Sequence, residues 1–291
     1  MRSETEIKNL ILDTAFNDDR IRAVLLNGSR ANSKIKPDNY QDFDIVFIVN
    51  SFDGFINNHD WITIFGEKII WQLPEEMNFG KEELLIDLSF GFHYLMLFKD
   101  LNRIDLTIFP IENFKTYFKL DSLTVIWLDK DNIFSKIKQP DDSDYHIHKP
   151  TMKEFIDTCN EFWWVSTYVA KGLLRNEITY TKEMLETVVR PMFMKIIEWK
   201  IGSENNFSVS FGKAGKFINK YLTKYDYEKI LKTYSDYEIE NNWQSLFCMT
   251  EIFGQFAIEL SEKLNFNYNI IEQRNTIDYL KKLHSEQKNY R

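Results

Sequence analysis

Gln41-Asp42-Phe43-Asp44-Ile45-Val46-Phe47-Ile48-Val49 is the stretch that decides how the first half of this 291-residue chain folds. Its β-branched and aromatic run predicts a buried strand over Phe43 to Val49. In a strand, side chains at i and i+2 share a face, so Asp42 and Asp44 stand together at its start while the apolar residues anchor it in a core. Two neighbouring carboxylates repel, and a cation relieves that repulsion. Hard oxygen ligands in this arrangement suit Mg²⁺, which keeps several waters and binds through one or two carboxylates plus nucleotide phosphates. Transfer of a nucleotidyl group is the first functional expectation.

Working outward, Leu26-Asn27-Gly28-Ser29-Arg30 lies just upstream, where a strand gives way to a turn. Gly28 permits close approach of a phosphate to the backbone, and Ser29 adds a hydroxyl. Downstream, Tyr94 to Phe98 and Arg103 to Phe109, joined by Lys99-Asp100-Leu101-Asn102, read as a hairpin. Asp105 sits in its second strand between Ile104 and Leu106, and an acidic group there is expensive unless paired or functional. Two readings stand for it: a member of the site, or a carboxylate paired with Arg103 on the same strand face.

The remaining pattern predicts an α+β protein. A helix is expected from Glu4 to Phe16, opened by a Ser3/Glu6 capping box. Further strands are expected at Ile21 to Leu26, Lys68 to Gln72, Phe92 to Phe98 and Leu123 to Trp127. After the polar run Gln139-Pro140-Asp141-Asp142-Ser143-Asp144 the periodicity becomes helical. This predicts residues 1–145 as a mixed sheet flanked by helices and residues 146–291 as an all-helical domain, with substrates in the cleft between them. Expected helices run from the Thr151/Glu154 capping box to about Arg175, then Lys182 to Lys200, Gly212 to Tyr221, Tyr225 to Leu231, Asn241 to Leu264, and from Glu272 onward. Pro191 should kink or divide the second of these.

With 44% hydrophobic and 15% aromatic residues the chain can fill real cores. Its net charge is −8, which argues against wrapping a nucleic-acid backbone and fits a cationic partner. The charged start Met1-Arg2-Ser3-Glu4 and the lack of about 18 uninterrupted apolar residues point to a cytoplasmic protein with no membrane partner. It is expected to act as a monomer. Cys159 and Cys248 fall in apolar helical patterns and read as reduced core thiols, and His146 and His148 are not expected to be ligands.

The ordered set Gly28-Ser29, Asp42-x-Asp44 and Asp105 resembles the signature of the DNA polymerase β-like nucleotidyltransferases. More narrowly, Gln41 to Phe47, Asn102 to Thr107, Asn160-Glu161-Phe162-Trp163-Trp164-Val165 and Tyr168-Val169-Ala170-Lys171-Gly172-Leu173 resemble the aminoglycoside 6-adenylyltransferases, which modify streptomycin. The resemblance spans most of the chain. It implies transfer of AMP from ATP to the 6-hydroxyl of streptomycin with release of pyrophosphate and antibiotic resistance. In that reading Asp42 and Asp44 are Mg²⁺ ligands, Gly28, Ser29 and Arg30 hold phosphates, and Asp105 is a third metal ligand or the general base. Alternatives are adenylylation of another aminoglycoside or of a protein side chain, and a catalytically silent nucleotide-binding regulatory module.

The helix after Pro150 adds an independent expectation. Glu154, Asp157, Glu161, Trp164, Tyr168, Lys171 and Arg175 recur at steps of three and four and so form one stripe, running from acid to base. The helix macrodipole favours that order on any solvated face, but Trp164 and Tyr168 are large aromatics with little reason to stand there. If the stripe binds substrate, Asp157 and Glu161 meet a cation, Trp164 and Tyr168 provide flat walls, and Lys171 meets the triphosphate.

Overall fold

The computed structural model describes residues 1–79, 88–117, 119–134 and 138–290. The chain separates into two compact units, Met1–Asp144 and Tyr145–Arg291.

The first unit is built on a six-stranded sheet. Its strands are β1 (Ile21–Asn27), β2 (Phe43–Val49), β3 (Lys68–Gln72), β4 (Phe92–Phe98), β5 (Arg103–Pro110) and β6 (Val125–Asp129), in the order β3-β4-β5-β2-β1-β6. Among the described residues only β2 and β5 pair in parallel; the other pairings are antiparallel, so the sheet is mixed. The β4–β5 hairpin forms as the sequence pattern predicts, with Leu101 in the left-handed region at its turn.

Alternation along β2 and β5 divides the sheet into two faces. Phe43, Ile45, Phe47, Ile104, Leu106 and Ile108 enter the larger core, which also takes in Ile7, Ile11 and Ala15 of α1 (Glu4–Asn17). The predicted Ser3/Glu6 capping box closes that helix's first turn. Val46, Ile48 and Phe109 face the other way, into a smaller core joined by Ile111 and Phe114 of α2 (Ile111–Tyr117). Asp44 and Asp105 belong to this second face, nearer the strand starts than its apolar cover. The hydrophobic effect seats the sheet, and the residue alternation leaves one end of one face to polar chemistry.

The second unit is helical: α3 (Met152–Leu174), α4 (Ile178–Met184), α5 (Arg190–Glu204), α6 (Lys224–Leu231), α7 (Ile239–Leu264) and α8 (Ile270–Tyr290). Its core stacks Phe162 on Phe253 at 3.6 Å with Trp163 edge-on to both. Among the described residues no helix is long and apolar enough to cross a membrane. Cys159 is buried and Cys248 half-buried, both as free thiols, and burial pushes the Cys159 thiol well above its ordinary range.

One helical expectation is met with a difference and another needs correction. Lys182 to Lys200 is divided beside Pro191, as expected, but the division is a π-helical turn over Leu185–Val189 between α4 and α5, with the Arg190 amide donating to the Leu185 carbonyl. Pro191 falls in the first turn of α5, directly after the π turn, where it has no amide to donate to the preceding turn. Gly212 to Tyr221 forms two 3₁₀ turns, Lys213–Gly215 and Ile218–Lys220, because Gly212, Ala214 and Gly215 all adopt positive φ. Three left-handed residues in so short a span stop a right-handed helix from propagating.

Candidate active site

The parallel pairing of β2 with β5 sets Asp44 level with Asp105, and Asp42 lies two residues before Asp44 on the same strand line. Arg103 opens β5 and shares a face with Asp105. Its Nε donates to Asp105 Oδ1 at 2.8 Å and its Nη2 to Asp105 Oδ2 at 2.7 Å, while Nη1 lies 3.7 Å from Asp42 Oδ2. The expectation that Asp105 pairs with Arg103 is therefore met, and the same residue also stands beside Asp44. Function and pairing are not exclusive.

The electrostatics of this cluster are out of balance. Asp44 is pushed up to about 6, first by burial and then by the like charges of Asp105 and Asp42. Asp42 is also raised, chiefly by burial, with Arg103 opposing the shift. A second positive source, Arg30, contributes only at a distance to both. Such a site gains from additional positive charge.

The turn Gly28–Ala31 follows β1 as one stretch of 3₁₀ helix and supports this face. Gly28 has φ +73°, and a Cβ placed there would come within 2.2 Å of Asp44 Oδ2. The turn and the carboxylate are thus packed so tightly that only hydrogen fits. Gln41 Nε2 donates to the Ser29 carbonyl at 3.3 Å, tying the turn to the approach of β2. Ser29 is half-buried.

Arg30, read from the sequence as a phosphate ligand, has a different set of contacts. Its Nη2 donates to the Gln41 carbonyl at 2.7 Å, its Nε to the Asp42 carbonyl at 3.1 Å, and its Nη1 to Glu4 Oε2 at 3.1 Å. Its guanidinium also stacks 3.8 Å above the Phe43 ring. With its side chain only 7% exposed, Arg30 clamps the backbone that carries Asp42. That role spans eleven and twelve residues of sequence and leaves no local signature.

In the helical unit, the Thr151/Glu154 capping box opens α3 as expected. Phe155, Cys159, Phe162 and Val169 are buried, and Glu154, Asp157, Glu161, Trp164 and Lys171 are exposed on the opposite stripe. Trp164 is 59% exposed, and its Nε1 donates to the Tyr168 hydroxyl at 2.8 Å. Lys171 Nζ lies 5.6 Å from the Tyr168 ring centroid, and Lys153 pairs with Asp157. Glu154, Asp157, Asn160, Glu161, Met192 and Lys195 line a cavity of about 530 Å³. Three of those lining residues belong to the α3 stripe, while Lys195 comes from α5, a helix distant in sequence.

Among the described residues no three His, Cys, Asp or Glu side chains form a ready metal cage. The donor set around Asp44 fits Mg²⁺ rather than a metal held wholly by protein, because Mg²⁺ takes one or two carboxylates and completes its shell with water and phosphate oxygens.

Residues 1–283 match the family described as Streptomycin adenylyltransferase. The chain belongs to that family. It is 42% identical over 269 residues to an aminoglycoside 6-adenylyltransferase of Bacillus subtilis (strain 168), covering 92% of this chain and 93% of the relative. Enzymes of the same name from Campylobacter jejuni and Staphylococcus aureus are 40% and 39% identical, with 94% and 92% of this chain covered and 93% and 94% of theirs. A crystal structure of an aminoglycoside 6-adenyltransferase from Bacillus subtilis, 36% identical, aligns over 98% of this chain and 99% of its own with a TM-score of 0.47. Family membership makes the protein a nucleotidyltransferase and directs attention to the carboxylate face of the first unit.

Proposed function

We propose that this protein transfers AMP from ATP to the 6-hydroxyl of streptomycin, in a Mg²⁺-dependent reaction that releases pyrophosphate. The observation that carries the reading is the level pairing of Asp44 with Asp105 on adjacent parallel strands, with Asp42 beside them and the Gly28 turn packed on Asp44. The names of the relatives point to the acceptor class.

In this reading Asp42 and Asp44 would hold the metal, whose charge, when it is bound, stabilises the triphosphate and the departing pyrophosphate. The Gly28-Ser29 turn presents backbone and a hydroxyl to phosphate oxygens without a side chain in the way. Arg30 keeps the Asp42 backbone in place through its two carbonyl contacts. Asp105 either completes the metal's ligands or takes the proton of the attacking hydroxyl as that oxygen bonds to the α-phosphorus. The two roles separate in Asp105→Asn: a base variant loses turnover with Mg²⁺-ATP affinity near normal, and a ligand variant loses both. Titration of Mg²⁺-ATP binding beside turnover makes the distinction, and unaltered turnover would eliminate both roles.

The exposed stripe of α3 is assigned to the substrates. Streptomycin carries guanidinium groups, planar cations that pair with carboxylates and stack on aromatic faces, so Asp157, Glu161, Trp164 and Tyr168 suit it. Lys171 suits phosphate. Glu161→Gln should weaken streptomycin binding by about 1.5 to 3 kcal/mol, the range for a hydrogen bond to a charged group, with little effect on ATP. Lys171→Ala should show the reverse selectivity by calorimetry. If both variants bind both ligands normally, the stripe is only a solvated face. The functional assignment as a whole is tested by pyrophosphate release with ATP, Mg²⁺ and a panel of aminoglycosides, where streptomycin should drive release. Release on a different acceptor alone would move the assignment to one of the alternatives, and no release with any acceptor would leave the regulatory module.

A further inference from the structure

We propose that Arg103 is an exchangeable counter-cation: it holds the carboxylates of the first unit before metal and nucleotide arrive, competes with the metal for them, and then turns its guanidinium to the nucleotide's phosphates. This inference rests on the reading of Asp42, Asp44 and Asp105 as the metal and nucleotide site, and it concerns how that site is kept ready.

The geometry is specific. Arg103 forks onto both oxygens of Asp105 at 2.8 and 2.7 Å and reaches toward Asp42 Oδ2 at 3.7 Å, so one planar cation spans two of the three carboxylates. A bidentate fork fixes the plane as well as the position of a carboxylate, and here the carboxylate it fixes is the one level with Asp44 across the parallel strands. Arg30 cannot take over this role, because its guanidinium is engaged with two backbone carbonyls, with Glu4 and with the Phe43 ring. The neutralising duty beside Asp42 and Asp105 therefore falls on Arg103.

Release is also built in. The Arg103 side chain is 43% exposed, its partners Asp42 and Asp105 are 38% and 20% exposed, and the Arg30 side chain is only 7% exposed. An ion pair in contact with water is held by a modest net free energy, so a divalent ion with twice the charge can displace the guanidinium without dismantling the fold. A freed guanidinium at the edge of a triphosphate has an obvious next partner, since its fork matches phosphate oxygens as well as carboxylate. Arg103 is thus a positioning residue for Asp105 that becomes a phosphate contact. A merely structural Arg103 would stabilise the hairpin and do nothing to metal affinity.

Competition predicts that removing the guanidinium tightens metal binding even as it impairs catalysis. The test uses full-length protein and Mn²⁺ alone, titrated by the electron paramagnetic resonance signal of the free ion, without nucleotide or acceptor. Arg103→Met, which keeps the apolar stem and removes the charge, should bind Mn²⁺ on the order of tenfold more tightly than wild type, and Arg103→Lys should fall between them. Thermal melts of the same proteins should show Mn²⁺ raising Tm further in Arg103→Met than in wild type, which checks at once that the variant is folded. In steady-state assays the KM for Mg²⁺-ATP should rise in Arg103→Met through loss of the phosphate contact. Mn²⁺ affinity that is unchanged, weakened or absent in Arg103→Met overturns the inference. Wild-type streptomycin adenylylation alongside that result would leave the functional proposal standing, so the two can fail separately.

Discussion

Asp44→Asn should lose adenylyl transfer by on the order of a thousandfold or more, and yet melt at a higher temperature than wild type at pH 8 in the absence of divalent metal. The first effect follows from removing a charged ligand without changing side-chain volume much: several kcal/mol of transition-state stabilisation depend on the metal it would hold. The second follows from the pKa of Asp44. Burial and the charges of Asp105 and Asp42 raise it to about 6 in the folded protein, against an ordinary aspartate value of roughly 3.9 in the unfolded chain. A raised value means that the folded state favours the protonated acid. The stabilising contribution of that proton is complete below about pH 4 and is lost as the pH climbs through about 6. At pH 8 the ionised carboxylate therefore costs about 2 to 3 kcal/mol relative to a neutral isostere. Melting curves of both proteins in a chelator check this: the advantage of the variant should be full at pH 8 and fall to about half of that at pH 5. An Asp44→Asn protein with near wild-type turnover would remove Asp44 from the site.

Gly28→Ala should also damage activity heavily, though less than Asp44→Asn, for a steric rather than an electrostatic reason. At φ +73° any L residue is strained, and the new methyl carbon would meet Asp44 Oδ2 at 2.2 Å and its carboxyl carbon at 3.1 Å. The strain itself amounts to roughly 1 to 2 kcal/mol. The clash is relieved only by moving the carboxylate, and a displacement near 1 Å in a positioned group costs on the order of a hundredfold in rate. Gly54→Ala is the matched control. Gly54 has φ +74°, and its added carbon would meet Arg20 Nη1, the far end of a flexible side chain, at 2.4 Å. Both variants should lose similar stability in denaturant titrations, and only Gly28→Ala should lose turnover. Equal turnover in the two would mean that the contact between Gly28 and Asp44 does not matter to the chemistry.

Much of this was legible in the chain because the relevant signals are local. Alternation of polar and apolar residues placed β2, β4 and β5, and the i, i+2 relation put Asp42 with Asp44 and Arg103 with Asp105. Two capping boxes, Ser3/Glu6 and Thr151/Glu154, marked helix starts because both partners lie within one turn. The boundary of β6 shifted to Val125–Asp129 because its extent is set by pairing with β1, where Ala23 faces Asp129. The stretch after Gly212 misled because its apolar spacing is helical while its backbone is not: two glycines and Ala214 take left-handed conformations. The contacts of Arg30 were not legible for a related reason. A guanidinium near a glycine turn suggests phosphate, but its backbone acceptors and the Phe43 ring are brought to it by the folded sheet. The level pairing of Asp44 with Asp105 is the most consequential feature of this kind, since no spacing in the sequence sets the register of a parallel pair.

Transfer of AMP from ATP to streptomycin, as proposed, leaves its mark in the mass of the product. Streptomycin incubated with the protein, ATP and Mg²⁺ should gain one adenylyl group by mass spectrometry, with fragmentation placing it at the 6-hydroxyl and with no gain for Asp44→Asn. Streptomycin recovered unmodified by active, folded protein, or carrying a phosphoryl group in place of the adenylyl group, would contradict the account.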